Sequence, residues 1–79
     1  MVKFGSTIKK LRKAKKLTLS DVSRESGIQM ATLSRIENNK MTGSLNNHFG
    51  LAKALGLKLS ELFEEFEKEN TPETGFNFR

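Results

Sequence analysis

The chain predicts an all-α fold of short helices around one small core. Apolar residues recur at three- and four-residue spacing, capping residues and glycines punctuate them, and no stretch alternates over the length of a strand. With 79 residues the chain makes one domain. A domain of this size buries only about 60% of its unfolded surface, which leaves no room for a large substrate pocket.

Phe4, Ile8 and Leu11 fall on one stripe, with Lys9, Lys10, Arg12, Lys13, Lys15 and Lys16 around it, so a first helix has one buried face. Leu17 precedes "TLSD", in which Thr18 caps a second helix and Asp21 answers toward the cap's own amide. That helix starts near Leu19 and stays short, because Gly27 is placed to take the left-handed conformation that ends it. A third helix runs from residue 29 or 30 to 38, with Leu33 and Ile36 on one face and Met30, Ala31, Ser34 and Arg35 on the other. "NNKMTG" breaks the chain, and Ser44 then caps a fourth helix. Its apolar face is read as Leu45, His48 or Phe49, Ala52 and Leu55, with a glycine stop at Gly56. A fifth helix carries Leu59, Leu62, Phe63 and Phe66 before a tail marked by Thr71, Pro72 and Gly75.

The absence of Cys, Trp and Tyr excludes a disulfide framework, a thiol nucleophile and a cysteine metal site, and fits a reducing compartment, the cytoplasm. Apolar runs fall far short of the roughly 20 residues that span a bilayer, and "MVKFGSTIKK" lacks a signal-peptide core. Charge is uneven. Residues 1–58 hold 12 Lys and Arg against Asp21, Glu25 and Glu37, a net of +9. Residues 59–79 hold six Glu against Lys68 and Arg79, a net of −4. A basic body with an acidic end suits a polyanion partner on one side.

Against that background "ESGIQMATLSRIENN" carries no charge from Ser26 to Ser34. Two short helices joined by a glycine turn, the second with small and polar residues outward, follow helix-turn-helix logic. The segment "LTLSDVSRESGIQMATLSRIENNKMTGSLNNHFGLAKALGLKLSELF" resembles the Cro/repressor-type, or XRE, helix-turn-helix family, and with the first helix the likeness covers about residues 4–64. It rests on Gly27, on the run Leu33, Ser34, Arg35, Ile36, Glu37, and on "LAKALGLKLSELF" downstream. The resemblance implies a compact five-helix repressor-like domain over residues 1–69 with a short C-terminal tail, 70–79, either flexible or dimer-contacting. It also implies sequence-specific binding of double-stranded DNA as a homodimer, without cofactor, metal or catalysis.

By the same resemblance Met30, Ala31, Ser34 and Arg35 face major-groove base edges, while Gln29 and Thr32 lie near phosphates. The chemistry agrees: Arg35 can fork onto guanine O6 and N7, and Met30 and Ala31 offer apolar surface to thymine methyls. Neutral side chains let the helix approach bases and leave non-specific affinity to the lysines around it. Arg12 and Glu37 pair structurally in such domains. The chain departs from the family pattern at Leu19, where Gln is frequent, and at Ser23, where Ala is preferred and the added hydroxyl must find a partner. Its loop has Met41, Thr42 and Gly43 in place of Arg and Pro, leaving Lys40 as the phosphate contact there.

Blander roles stand beside these. The lysine run can be a solvated face, His48 a core-edge histidine, and Glu61 to Glu69 the wet side of the fifth helix. A lysine-rich first helix on a membrane surface conflicts with the use of Phe4, Ile8 and Leu11 in the core. Phe66 is expected to be left over from the core and, with Phe76 and Phe78, to pack against a second subunit. The alternative function is an antitoxin-like interaction module, in which the acidic C-terminal end takes a protein partner while the body binds its own operator.

Overall fold

The computed structural model describes residues 4–70, and these form five helices and no strand: α1 Phe4–Ala14, α2 Leu19–Ser26, α3 Met30–Glu37, α4 Leu45–Ala54 and α5 Leu59–Asn70. Phe76, Phe78 and the rest of the tail from residue 71 lie outside the described residues. α2 packs on α3 and α4, α1 packs on α3 and α5, and α4 meets α5.

Every helix contributes to one core. Ile8, Val22, Leu33, Ile36, Leu51, Leu55 and Leu62 are at most 1% exposed, so each gives up almost its whole side chain to the interior. Phe4, Leu11, Leu17 and Leu59 close the edges. Burial of side chains this size stabilises by about 1.5–3 kcal/mol each relative to leaving them in water. Thr7 is also buried, and its Oγ1 has no hydrogen-bond partner among the described residues. None of the described helices is long and apolar enough to cross a membrane.

Two expectations need correction. On α4 Ala52 and, at the cap, Leu55 are buried as expected, joined by Leu51, and His48 packs inward on Phe4, whereas Leu45 and Phe49 are 58% and 54% exposed. The helix has apolar residues on two faces, and contact with α2 and α5 selects the one through Leu51. Phe66 is not left over. It is half-buried, and its ring stands edge-on to Phe4 with centroids 5.4 Å apart, because α1 lies along α5 there. The same aromatic group takes in His48, whose ring is 4.8 Å from Phe4 and 5.6 Å from Phe63. The imidazole Nε2 is 2.8 Å from the Thr42 carbonyl oxygen, tying α4 to the loop before it.

Candidate nucleic-acid interface

α2 and α3 form the outward-facing unit, and local chemistry fixes each boundary. Thr18 Oγ1 accepts from the Asp21 amide at 3.0 Å, while Asp21 Oδ2 accepts from the Thr18 amide at 2.8 Å, a reciprocal capping box. The Thr18 backbone bond, then the Thr18 side chain and the Arg24 guanidinium, hold the Asp21 carboxyl below the usual carboxylate range.

At the other end Gly27 adopts φ 78° and donates to the Ser23 carbonyl at 2.9 Å. A Cβ there would meet nothing within 4 Å, so the requirement at Gly27 is the left-handed backbone and not space. The Ser23 hydroxyl finds its partner in the same turn, donating to the Ile28 carbonyl at 2.5 Å. The Ile28 amide in turn donates to Ser26 Oγ at 3.1 Å, and the Ile28 side chain is buried. The turn is therefore anchored from inside by one apolar side chain and from outside by two serines.

α3 turns Leu33 and Ile36 fully inward. Met30, 48% exposed, lies outside with Ala31 and Arg35, and Ser34 is half-buried beside them. These four thus share the outer side of one two-turn helix. Arg35 is exposed and has no side-chain hydrogen bond or ion pair with any described residue. Arg12 is the opposite case. Its Nε and Nη2 donate to Glu37 Oε2 and Oε1 at 2.7 and 3.0 Å, its Nη1 donates to the Leu17 carbonyl at 2.9 Å, and both side chains are nearly buried. The hydrogen bond it donates to Glu37 raises the Arg12 pKa above its ordinary value. One guanidinium is consumed in fixing α1 to the end of α3, and the other stands in solvent on the outer side of α3.

Gln29, exposed, precedes α3 as its N-cap without a side-chain capping bond, so the first-turn amides have no partner from it. Gln29 and Thr32 border an open cleft whose other walls are Ser26, Gly27, Ile28, Asn46 and Asn47. Lys40 is exposed just past α3. Lys9, Lys13, Lys15 and Lys16 are exposed without ion pairs among the described residues, while Lys10 pairs with Glu69 of α5 at 2.5 Å. The arrangement can set a helix face of small and apolar side chains with one arginine against base edges, with amide and cationic donors flanking it for phosphates.

Sequence reasoning missed the asparagines. Asn38 Nδ2 donates to the Ser34 carbonyl at 2.9 Å and to Ser34 Oγ at 3.3 Å, which orients a hydroxyl on the outer side of α3. Asn46 and Asn47 reach the α3 cleft only because α4 begins beside it. Their signal was a polar first turn on a helix already capped by Ser44.

Comparison with known proteins adds to this geometry. A family model described as helix-turn-helix matches residues 8–62. The control protein C.MunI from Mycoplasma sp is 42% identical over 73 residues, covering 86% of this chain and 93% of that protein. The uncharacterized HTH-type transcriptional regulator RghRB from Bacillus subtilis (strain 168) is 48% identical over 40 residues, 51% of this chain and 29% of its own length. Among solved structures, the restriction-modification controller protein C.AhdI from Aeromonas hydrophila is similar with a TM-score of 0.73 at 35% identity, covering 78% of this chain and 94% of C.AhdI.

Proposed function

The chain belongs to the helix-turn-helix family and is a DNA-binding transcriptional regulator, and on that premise we propose that it binds a pseudo-palindromic operator as a homodimer and serves as a controller protein of a restriction-modification system. The restriction-modification part draws its support from similarity to C.AhdI and C.MunI along nearly their whole length. The observation that carries the DNA-binding mechanism is the outer face of α3, where Met30, Ala31, Ser34 and Arg35 stand together and Arg35 alone of the charged groups on that helix is unengaged. Arg35 reads guanine, Met30 and Ala31 meet thymine methyls, and Gln29, Thr32 and Lys40 hold phosphates. Regulation follows from occupancy, in the cytoplasm, with no chemical step and no cofactor.

The second copy docks on the face made by Leu45 and Phe49 of α4 and Phe63 of α5. These are exposed large apolar residues, and the contact of the Phe63 ring with that of His48 joins the two helices. Phe66 joins the same aromatic group through Phe4, whose ring also meets Phe63. Two-fold pairing then sets the two α3 helices about 34 Å apart, one duplex turn. The antitoxin-like alternative has less to stand on. Glu61 accepts from the Lys58 amide, Glu65 pairs with Lys68 and Glu69 with Lys10, so much of the acidic end already serves its own fold.

Selection of bound duplexes from a random pool tests the proposal. It should return two inverted half-sites about one turn apart, with guanine at a fixed position in each. Recovery of sequences without inverted symmetry would reject the dimeric operator reading.

A further inference from the structure

α3 ends in an uncommon way. Asn39 follows the cap at φ 63°, in the left-handed region that favours glycine. Its amide donates to the Ile36 carbonyl at 3.1 Å, and the Lys40 amide donates to the Arg35 carbonyl at 2.8 Å, which is the Schellman arrangement. Glycine would make this turn with less strain, so a side chain kept here invites the question of what it does.

The Asn39 carboxamide reaches across to α1. Its Oδ1 accepts from the Gly5 amide at 3.1 Å, and its Nδ2 lies 3.4 Å from Ser6 Oγ. Gly5 is the second residue of α1, and among the described residues its amide has no carbonyl one turn back to bond. Asn39 therefore closes one helix with its backbone and caps another with its side chain, 34 residues away. The seam is backbone on backbone. A Cβ on Gly5 would fall 1.9 Å from the Ile36 carbonyl oxygen and 2.9 Å from that of Glu37.

We propose that Asn39 is a positioning residue for base reading: its carboxamide fixes the register of α3 against α1 and so sets how far Ser34 and Arg35 project toward DNA. The proposal rests on the reading that α3 faces base edges. Leu33 and Ile36 grip the inner side of α3, but apolar contact is non-directional and tolerates a small slide or rotation. Arg12 and Glu37 join α1 to the far end of the same seam, through two long side chains. A bond from a backbone amide to a carboxamide one residue past the α3 cap is short and directional, so it resists that shift.

The test uses the full chain and binding to two duplexes of equal length at one salt concentration, the selected operator and a random sequence. Asn39→Gly keeps the left-handed turn and removes the acceptor. Asn39→Asp restores an acceptor at the same place. All readings are taken well below each melting temperature, with Asn39→Ser as the truncation if Asn39→Gly does not fold. The expected result for Asn39→Gly is an operator-to-random affinity ratio lower by about tenfold, equivalent to about 1.4 kcal/mol, with faster hydrogen exchange at the Gly5 amide. Asn39→Asp should recover both. An unchanged ratio in Asn39→Gly, or a lowered ratio that Asn39→Asp does not restore, overturns the proposal. Arg35→Ala, run alongside, separates the two levels. If it lowers the ratio while Asn39→Gly does not, positioning fails and base reading stands; if neither lowers it, both fail.

Discussion

Arg12 and Arg35 carry the same guanidinium and do opposite things, because their surroundings differ. Arg12 is held in a two-point contact with Glu37 where both side chains are nearly buried. Removing one member leaves a buried charge without its partner, which costs about 3–5 kcal/mol. Arg12→Ala and Glu37→Ala should therefore each lower the melting temperature by more than about 10 °C, and the double variant should lose less than the sum. A thermal-unfolding cycle measures this, and additive losses would contradict a shared interaction. Arg35 has no such partner. Arg35→Ala should leave the melting temperature nearly unchanged and weaken operator binding by about 1–3 kcal/mol with little effect on random duplex. Equal losses on the two duplexes would assign Arg35 to phosphate instead.

At the scale of elements, α2 depends on its ends. Eight residues make a helix too short to persist alone, so the capping box and the Gly27 turn decide where it begins and stops. Thr18→Ala should cost about 1 kcal/mol, read as a fall in melting temperature of several degrees. The Asp21 carboxyl has its pKa lowered by folding, so its contribution is present above the unfolded value of 3.8 and is lost as pH falls through the folded value. Melting temperature followed from pH 6 down to about pH 2 should decline less steeply for Asp21→Asn than for the parent. Parallel declines would mean that the cap does not titrate with folding. α4 shows the reverse dependence. Its own residues allow two apolar faces, and its neighbours choose between them.

For the whole molecule, the distribution of charge and apolar surface sets how it meets DNA and itself. A net of +9 over residues 1–58 predicts a steep fall in affinity with salt, because each neutralised phosphate releases counterions. A titration across salt concentrations checks this, and a flat slope would exclude phosphate contact by the basic body. The exposed Leu45, Phe49 and Phe63 predict association. Phe49→Ser should shift sedimentation toward monomer and weaken binding to two half-sites more than to one, with little effect on melting of the monomer since the side chain is mostly in solvent. Sedimentation like that of the parent would place the interface elsewhere.

Helix positions, caps and the outward side of α3 were legible in the chain because each is a local property. Thr18 with Asp21, Gly27, Ser44, and the three-residue spacing of Leu33 and Ile36 depend only on near neighbours and helix periodicity. The net charge of each segment needs no fold at all. Tertiary structure alone decided which face of α4 is buried, that Phe66 packs on Phe4, that Ser23 satisfies Ile28, and that Asn39 caps a helix 34 residues away. Those outcomes depend on contacts between segments distant in sequence. A short apolar-rich helix carries no mark of which side a neighbour will cover, and a polar side chain carries no mark of which orphan amide will come within its reach.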